Sequence, residues 1–253
     1  MINTKSPQEI EIMTEGGAKL SQILGELANN VQPGITTLEI DTQAERLLLS
    51  TGGEPSFKKV PGYKFSTCTT VNEEVVHGLP TKYVLKDGDI LSIDIGLFYK
   101  GFHTDTSVTI PVGKISPETQ LFIEAGRKSL KNAVTAAKSG GTVWDISHAM
   151  EIPIKENGFS PVTSLTGHGI GKNLHEEPSI PCFTIGSQKH SAKLGPGMCL
   201  AIETIYNKGS AEVIYKNEDN WTISTRDHSL SGLFEVTVAI TSKGTRILTP
   251  LLC

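Results

Sequence analysis

Ile90-Leu91-Ser92-Ile93-Asp94-Ile95, carried through Tyr99-Lys100-Gly101 into the run from His103 to Ile110, reads as two strands joined by a tight turn. The first strand spans Asp89 to Leu97 and the second returns beside it, so the pair is antiparallel. Thr67 to Val76, Met198 to Ile205 and Leu233 to Ile240 have the same strand character, with a further turn at Lys243-Gly244. Strands that lie near their neighbours in sequence predict an antiparallel sheet with helices packed on one face, an α+β layout.

Outward from this core lie two pairs of predicted helices. Ser6-Pro7-Gln8-Glu9 is a capping box with proline at the first helical position, and Ile10, Met13, Leu20, Leu24, Leu27 and Val31 follow on one face despite Gly16-Gly17. Pro33-Gly34 ends that helix, and Thr36 to Glu39 opens another that stops at Gly52-Gly53. About 110 positions later the order repeats. Ser116-Pro117-Glu118 starts a helix running to Gly140-Gly141, and Thr142-Val143-Trp144-Asp145-Ile146 echoes Thr36-Thr37-Leu38-Glu39-Ile40. Each half reads helix, helix, strands, which predicts one catalytic domain over residues 1–253 made of two similar halves, about 5–110 and 115–245.

Asp94 interrupts an otherwise apolar strand, where an uncompensated carboxylate costs several kcal/mol. The hairpin brings Asp105 about opposite Asp94, on the same face. Glu203 in Cys199-Leu200-Ala201-Ile202-Glu203 and Glu235 between Phe234 and Val236 repeat the pattern. Singly, each acid reads as a solvated residue on the exposed face of a half-buried strand. Four such acids without a basic neighbour in sequence, if they converge, match two divalent cations in charge. Hard oxygen ligands with one imidazole suit manganese, iron, cobalt or zinc, and paired metals sharing a water are a recurrent hydrolytic device. The imidazole is expected from Gly167-His168-Gly169-Ile170-Gly171, whose G-x-G-x-G spacing misses the dinucleotide fingerprint. Spacing alone leaves His77 and His175 as structural histidines. A cysteine nucleophile, Cys68 with His77 or Cys182 with His175, has no third orienting residue in view.

Composition narrows the classes. With 38% hydrophobic and 20% charged residues in 253, the chain is long enough to bury a core and too apolar for disorder. A net charge of −4 without a basic tract argues against nucleic acid as a partner. Cys68, Cys182, Cys199 and Cys253 form no C-x-x-C pair, which fits reduced thiols in the cytoplasm. The N-terminus from Met1 to Pro7 lacks a basic flank followed by an apolar segment, and no apolar run approaches ~18 residues, so neither export nor a membrane is expected.

Over nearly its whole length the sequence resembles the type I methionine aminopeptidases. Val71-Asn72-Glu73-Glu74-Val75-Val76-His77-Gly78 resembles the segment whose histidine faces the scissile bond. Ser92-Ile93-Asp94 with Lys100-Gly101-Phe102-His103-Thr104-Asp105 resembles the two metal aspartates, and Gly167-His168-Gly169-Ile170-Gly171 with His175-Glu176-Glu177-Pro178 resembles the metal histidine and a second substrate-facing histidine. Ala201-Ile202-Glu203 and Phe234-Glu235-Val236-Thr237 resemble the metal glutamates, and Trp221-Thr222 the substrate-side segment before the last strands.

The resemblance implies a pita-bread fold with a pseudo-twofold antiparallel sheet and two pairs of helices. It implies removal of initiator methionine from nascent chains whose second residue is small; a monomer meeting those chains at the ribosome is the expectation for partners. Asp94, Asp105, His168, Glu203 and Glu235 would be the metal ligands. Glu203 would also be the base, Asp94 and its metal would hold the substrate amine, His175 would stabilise the oxyanion and His77 would position the departing nitrogen. Four positions depart from the family pattern around the ligands: Gly96, Cys182, Thr204 and Val236. Phe57 and Val60 depart near the methionine pocket. The rival readings are an Xaa-Pro aminopeptidase or prolidase, and a non-enzymatic binding module on the same fold.

Overall fold

The computed structural model describes residues 2–216 and 219–250, which leaves Met1 and Cys253 outside the described residues. Four helices begin on side-chain caps. Ser6 and Glu9 exchange bonds at the start of α1 (Pro7–Asn30), as do Thr36 and Glu39 for α2 (Thr37–Ser50) and Thr142 and Asp145 for α4 (Val143–Glu156). Helix α3 (Pro117–Ala136) starts on Ser116, which accepts from Thr119 N. Gly16-Gly17 weakens α1 as an isolated helix but lets it approach the chain's last described segment. A Cβ on Gly17 would lie 2.3 Å from the Leu248 carbonyl oxygen.

The first half supplies β1 (Glu54–Pro55), β2 (Thr67–Val71), β3 (Glu74–Val76), β4 (Ile90–Tyr99) and β5 (Phe102–Pro111). The second supplies β6 (Ser160–Pro161), β7 (Thr166–Gly169), β8 (Glu176–Pro181), β9 (Cys199–Asn207), β10 (Val213–Tyr215), β11 (Ile223–Thr225), β12 (Ser231–Thr241) and β13 (Gly244–Ile247). Among the described residues the large sheet runs β1-β4-β5-β12-β9-β7-β8, with β2 on β4, β6 on β9 and β13 on β12; β10-β11-β3 form a small second sheet. Every pairing is antiparallel. The halves meet where β5 pairs with β12, so the strands carrying the four acids are consecutive at the centre.

Two strand expectations are corrected. Thr67 to Val76 is two strands in different sheets, because Asn72 takes φ 55° and turns the chain. Its side chain holds the turn, donating to Asp89 Oδ1 and accepting from Ile90 N. Asp105 is not opposite Asp94: the pairs are Asp94 with Ser107 and Asp105 with Gly96, because Lys100 and Gly101, both at positive φ, close the hairpin in that register. The two aspartates are diagonal neighbours on one face.

The other face is apolar. Leu91, Ile93, Ile95 and Leu97 on β4 are wholly buried and cluster with Leu20 and Leu24 of α1, while Val236, Val238 and Ile240 on β12 cluster with the α3 residues Phe122 and Leu130. One sheet face therefore carries the helices and the core, and the acids project from the opposite face.

Candidate metal centre

Strand register sets the site. Across four adjacent strands, Asp94 pairs with Ser107, Ser107 with Glu235, and Glu235 with Glu203. Two residues along lies a second row: Gly96 pairs with Asp105, Thr237 with Ala201, and Ala201 with His168. Thr237 ties that row together, accepting from Asp105 N at 2.9 Å and donating to Asp105 O at 2.8 Å. Residues two apart share a face and neighbouring strands lie about 4.8 Å apart, so four acids and one imidazole converge on a single patch. A carboxylate oxygen of Asp105, one of Glu235 and a ring nitrogen of His168 lie within 4.8 Å of one another. His168 Nδ1 is 2.8 Å from Gly169 O; donating there leaves Nε2 its lone pair.

Asp105 and Glu235 are buried, at 4% exposure each, whereas Asp94 and Glu203 keep surface open to a pocket of about 150 Å³. Its other walls include Phe57, Val60, Tyr63, Cys68, Leu174 and Trp221, with His77 and His175 at a rim where both remain exposed. Tyr63 is fixed by its hydroxyl, which donates to Thr67 O at 2.7 Å, and by edge contact with Trp221 at 4.9 Å between ring centres. The wall is mostly apolar while the floor is acidic.

Burial raises the Asp94 carboxyl to about 7. Burial and mutual repulsion hold Asp105, Glu203 and Glu235 well above the usual carboxylate range. His168 is pushed down to about 4 by burial and by His175, and burial lowers His77 and His175 as well. The imidazoles are therefore neutral and available as ligands or hydrogen-bond donors near neutral pH. Asp94 Oδ1 and Ser107 Oγ are buried without a hydrogen-bond partner. Repelling carboxylates, an orphaned carboxylate oxygen and an imidazole with a free nitrogen form a donor set that divalent cations satisfy.

The cysteine alternatives lose their chemical basis. Burial and Asp94 raise the Cys68 thiol, and burial raises Cys182 to about 12, so neither supplies a thiolate near neutral pH. Thr204 and Val236 lie on the helix-side face, Thr204 Oγ1 being 3.1 Å from Ser129 Oγ of α3. Cys182 donates to Glu203 O at 3.4 Å. Gly96 and Phe57 are one feature: a Cβ at Gly96 would meet Ser56 Cβ at 2.7 Å and the Phe57 ring at 3.2 Å. Ser107, Tyr63 and Leu174 went unpredicted. Ser107 follows from the register once the hairpin turn is placed; Tyr63 and Leu174 sit in irregular chain that has no periodicity to read.

The sequence model of metallopeptidase family M24 matches residues 11–242. Methionine aminopeptidase 1 of Bacillus subtilis is 43% identical over 249 residues, covering 98% of this chain and 99% of that protein. The crystal structure of methionine aminopeptidase from Thermotoga maritima superposes with a TM-score of 0.95 at 38% identity, covering 99% and 100% of the two chains. The prolidase from Pyrococcus furiosus shares the fold at a TM-score of 0.80 and 24% identity, and the match covers 66% of that longer chain. The chain belongs to metallopeptidase family M24 and, within it, to the type I methionine aminopeptidases.

Proposed function

We propose that this protein removes the initiator methionine from nascent polypeptides whose second residue is small, using two divalent cations held by Asp94, Asp105, His168, Glu203 and Glu235. The observation that carries the reading is the convergence of four carboxylates and one imidazole at the floor of an otherwise apolar pocket. Divalent metal use follows from the family; cobalt, manganese, iron and zinc all suit the donor set. Bound there, such ions supply charge neutralisation, carbonyl polarisation and a lowered water pKa.

The chain's own groups do the rest. Glu203, open to the pocket, takes a proton from the attacking water and returns it to the departing amine. Asp94, the other open carboxylate, receives the substrate's free α-amine, which restricts cleavage to the first bond. His175 donates to the developing oxyanion from the rim, and His77 orients the departing nitrogen. Phe57, Tyr63, Cys68, Leu174 and Trp221, the apolar part of the pocket lining, enclose the methionine side chain.

The catalytic unit is one domain of two similar halves, the pairs α1–α2 and α3–α4 being each half's helical layer. It acts in the cytoplasm as a monomer, on chains emerging from the ribosome. No helix among the described residues is long and apolar enough to cross a membrane. The deciding measurement is initial rate on Met-Ala-Ser against Ala-Pro-Ser at one metal concentration. Faster release from Ala-Pro-Ser overturns the methionine assignment in favour of the proline-specific relatives.

A further inference from the structure

Lys5 is a lysine almost withdrawn from water. Its Nζ lies 2.6 Å from Glu176 Oε2, with side chains only 5% and 3% exposed, and also donates to Asn3 O at 3.0 Å. Its backbone N donates to Gly197 O at 2.7 Å, just ahead of the strand that carries Glu203. On the other side of the pair, Glu176 Oε1 accepts from Asn173 N at 3.1 Å, and Asn173 O accepts from Gly171 N at 3.0 Å. Gly171 O in turn accepts from His103 N at 2.7 Å, on the strand that carries Asp105. The last glycine of Gly167-His168-Gly169-Ile170-Gly171 thus has a reason. A Cβ at Gly171 would lie 2.2 Å from Lys5 Cε and 3.0 Å from Glu176 Oε1, so only glycine leaves room for the ion pair.

Glu176 directly follows His175, whose ring is exposed. Among the described residues that ring has no hydrogen-bond partner, and its contact is the edge of His168, 4.5 Å between centres. What holds His175 over the pocket is therefore its backbone, and the backbone is anchored one residue later by the Lys5–Glu176 pair. We infer that Lys5, acting through Glu176, is a positioning residue that fixes His175 at the rim of the active site; the inference rests on the role proposed for His175.

Removing the Lys5 charge while keeping a similar length, as in Lys5→Met, strands the Glu176 carboxylate and frees the loop between Gly171 and His175. The expected result is a fall of about tenfold in kcat on Met-Ala-Ser with KM within about twofold, since a displaced stabilising donor costs rate more than binding. In a His175→Ala background the same substitution should change kcat by less than about twofold, because two residues acting through one group are not additive. Rates are taken well below the melting temperature of each variant, and Glu176→Gln, which keeps shape and removes charge, is measured in parallel and decides the matter if Lys5→Met does not fold. Lowered kcat in His175→Ala with Lys5→Met unchanged, or with the two effects multiplying fully, overturns the positioning role alone. Unchanged kcat in His175→Ala overturns the role of His175 and the inference with it.

Discussion

Glu203 and Glu235 are directly paired on adjacent antiparallel strands, β9 and β12, with both side chains on the sheet face opposite the one that packs on α1 and α3. Like charges directly opposite one another destabilise a sheet. Here the same row adds Asp94 two strands further on, and Asp105 lies one diagonal step away. No gain in folding explains this placement, so the arrangement is maintained for what it binds.

Metal removal is the direct test of that statement. Exhaustive chelation is expected to abolish Met-Ala-Ser hydrolysis and lower the melting temperature, because the carboxylates then face one another unneutralised. Ligand at a hundred times its Kd contributes about 2.7 kcal/mol per site, and a chain of this size gains roughly 2–4 °C per kcal/mol. Calorimetric titration of the stripped protein should give up to two cations per chain. Full activity in metal-free protein sinks the metal reading.

Glu203→Gln removes a proposed ligand and the proposed base together. The expected loss in kcat is at least ~100-fold, the lower bound for a positioned acid or base. Glu177→Gln, an exposed acid on β8, is the control and should remain near wild type. Near-normal turnover in Glu203→Gln assigns the proton transfers to another group.

Why these acids were legible and the pocket wall was not comes down to period. In a strand the side chains alternate faces, so Asp94 between Ile93 and Ile95, and Glu235 between Phe234 and Val236, stand out as charges on a ladder whose other face is core. The helix starts were equally readable, because capping boxes are local. The register of the β4–β5 hairpin was off by two residues, since the turn at Lys100-Gly101 sets it and both of its residues adopt positive φ. Thr67 to Val76 split at Asn72 for a reason that is tertiary: the anchoring partners Asp89 and Ile90 are 17 and 18 residues away. Tyr63 and Leu174 come from irregular segments, which only long-range packing places.

Burial alone raises the Glu176 carboxyl, but the Lys5 ammonium and Asn173 N outweigh it and bring the carboxyl below its ordinary value. An acid whose folded pKa is depressed adds stability that is present above its unfolded pKa and lost as pH falls through the folded one. The melting-temperature gap between wild type and Glu176→Gln should therefore be full near about pH 6 and narrow progressively as the pH falls below about 4.3, the ordinary glutamate value. A gap that stays constant over that window shows the pair to be electrostatically neutral to folding.

Specificity follows from the shape of the wall. Phe57 lines the pocket beside Asp94, sharing with Ser56 the space that a side chain at Gly96 would need, and Tyr63 and Trp221 pack edge to face in the same wall. A missing methylene in such a site is worth only ~1–3 kcal/mol, so norleucine should replace methionine with a modest loss, while alanine at the first position should be poor. Phe57→Ala lengthens the pocket and should improve the rate on first residues longer than methionine relative to methionine itself. In the proposed scheme Asp94 receives the free α-amine, so acetyl-Met-Ala-Ser should not be cut. Bulk at the second position should be disfavoured, which makes Met-Phe-Ser slow. Initial rates across this panel, at one metal concentration, decide each point. Equal cleavage of the acetylated peptide removes the amine from the recognition scheme, and an unchanged chain-length profile in Phe57→Ala removes Phe57 as the end of the pocket.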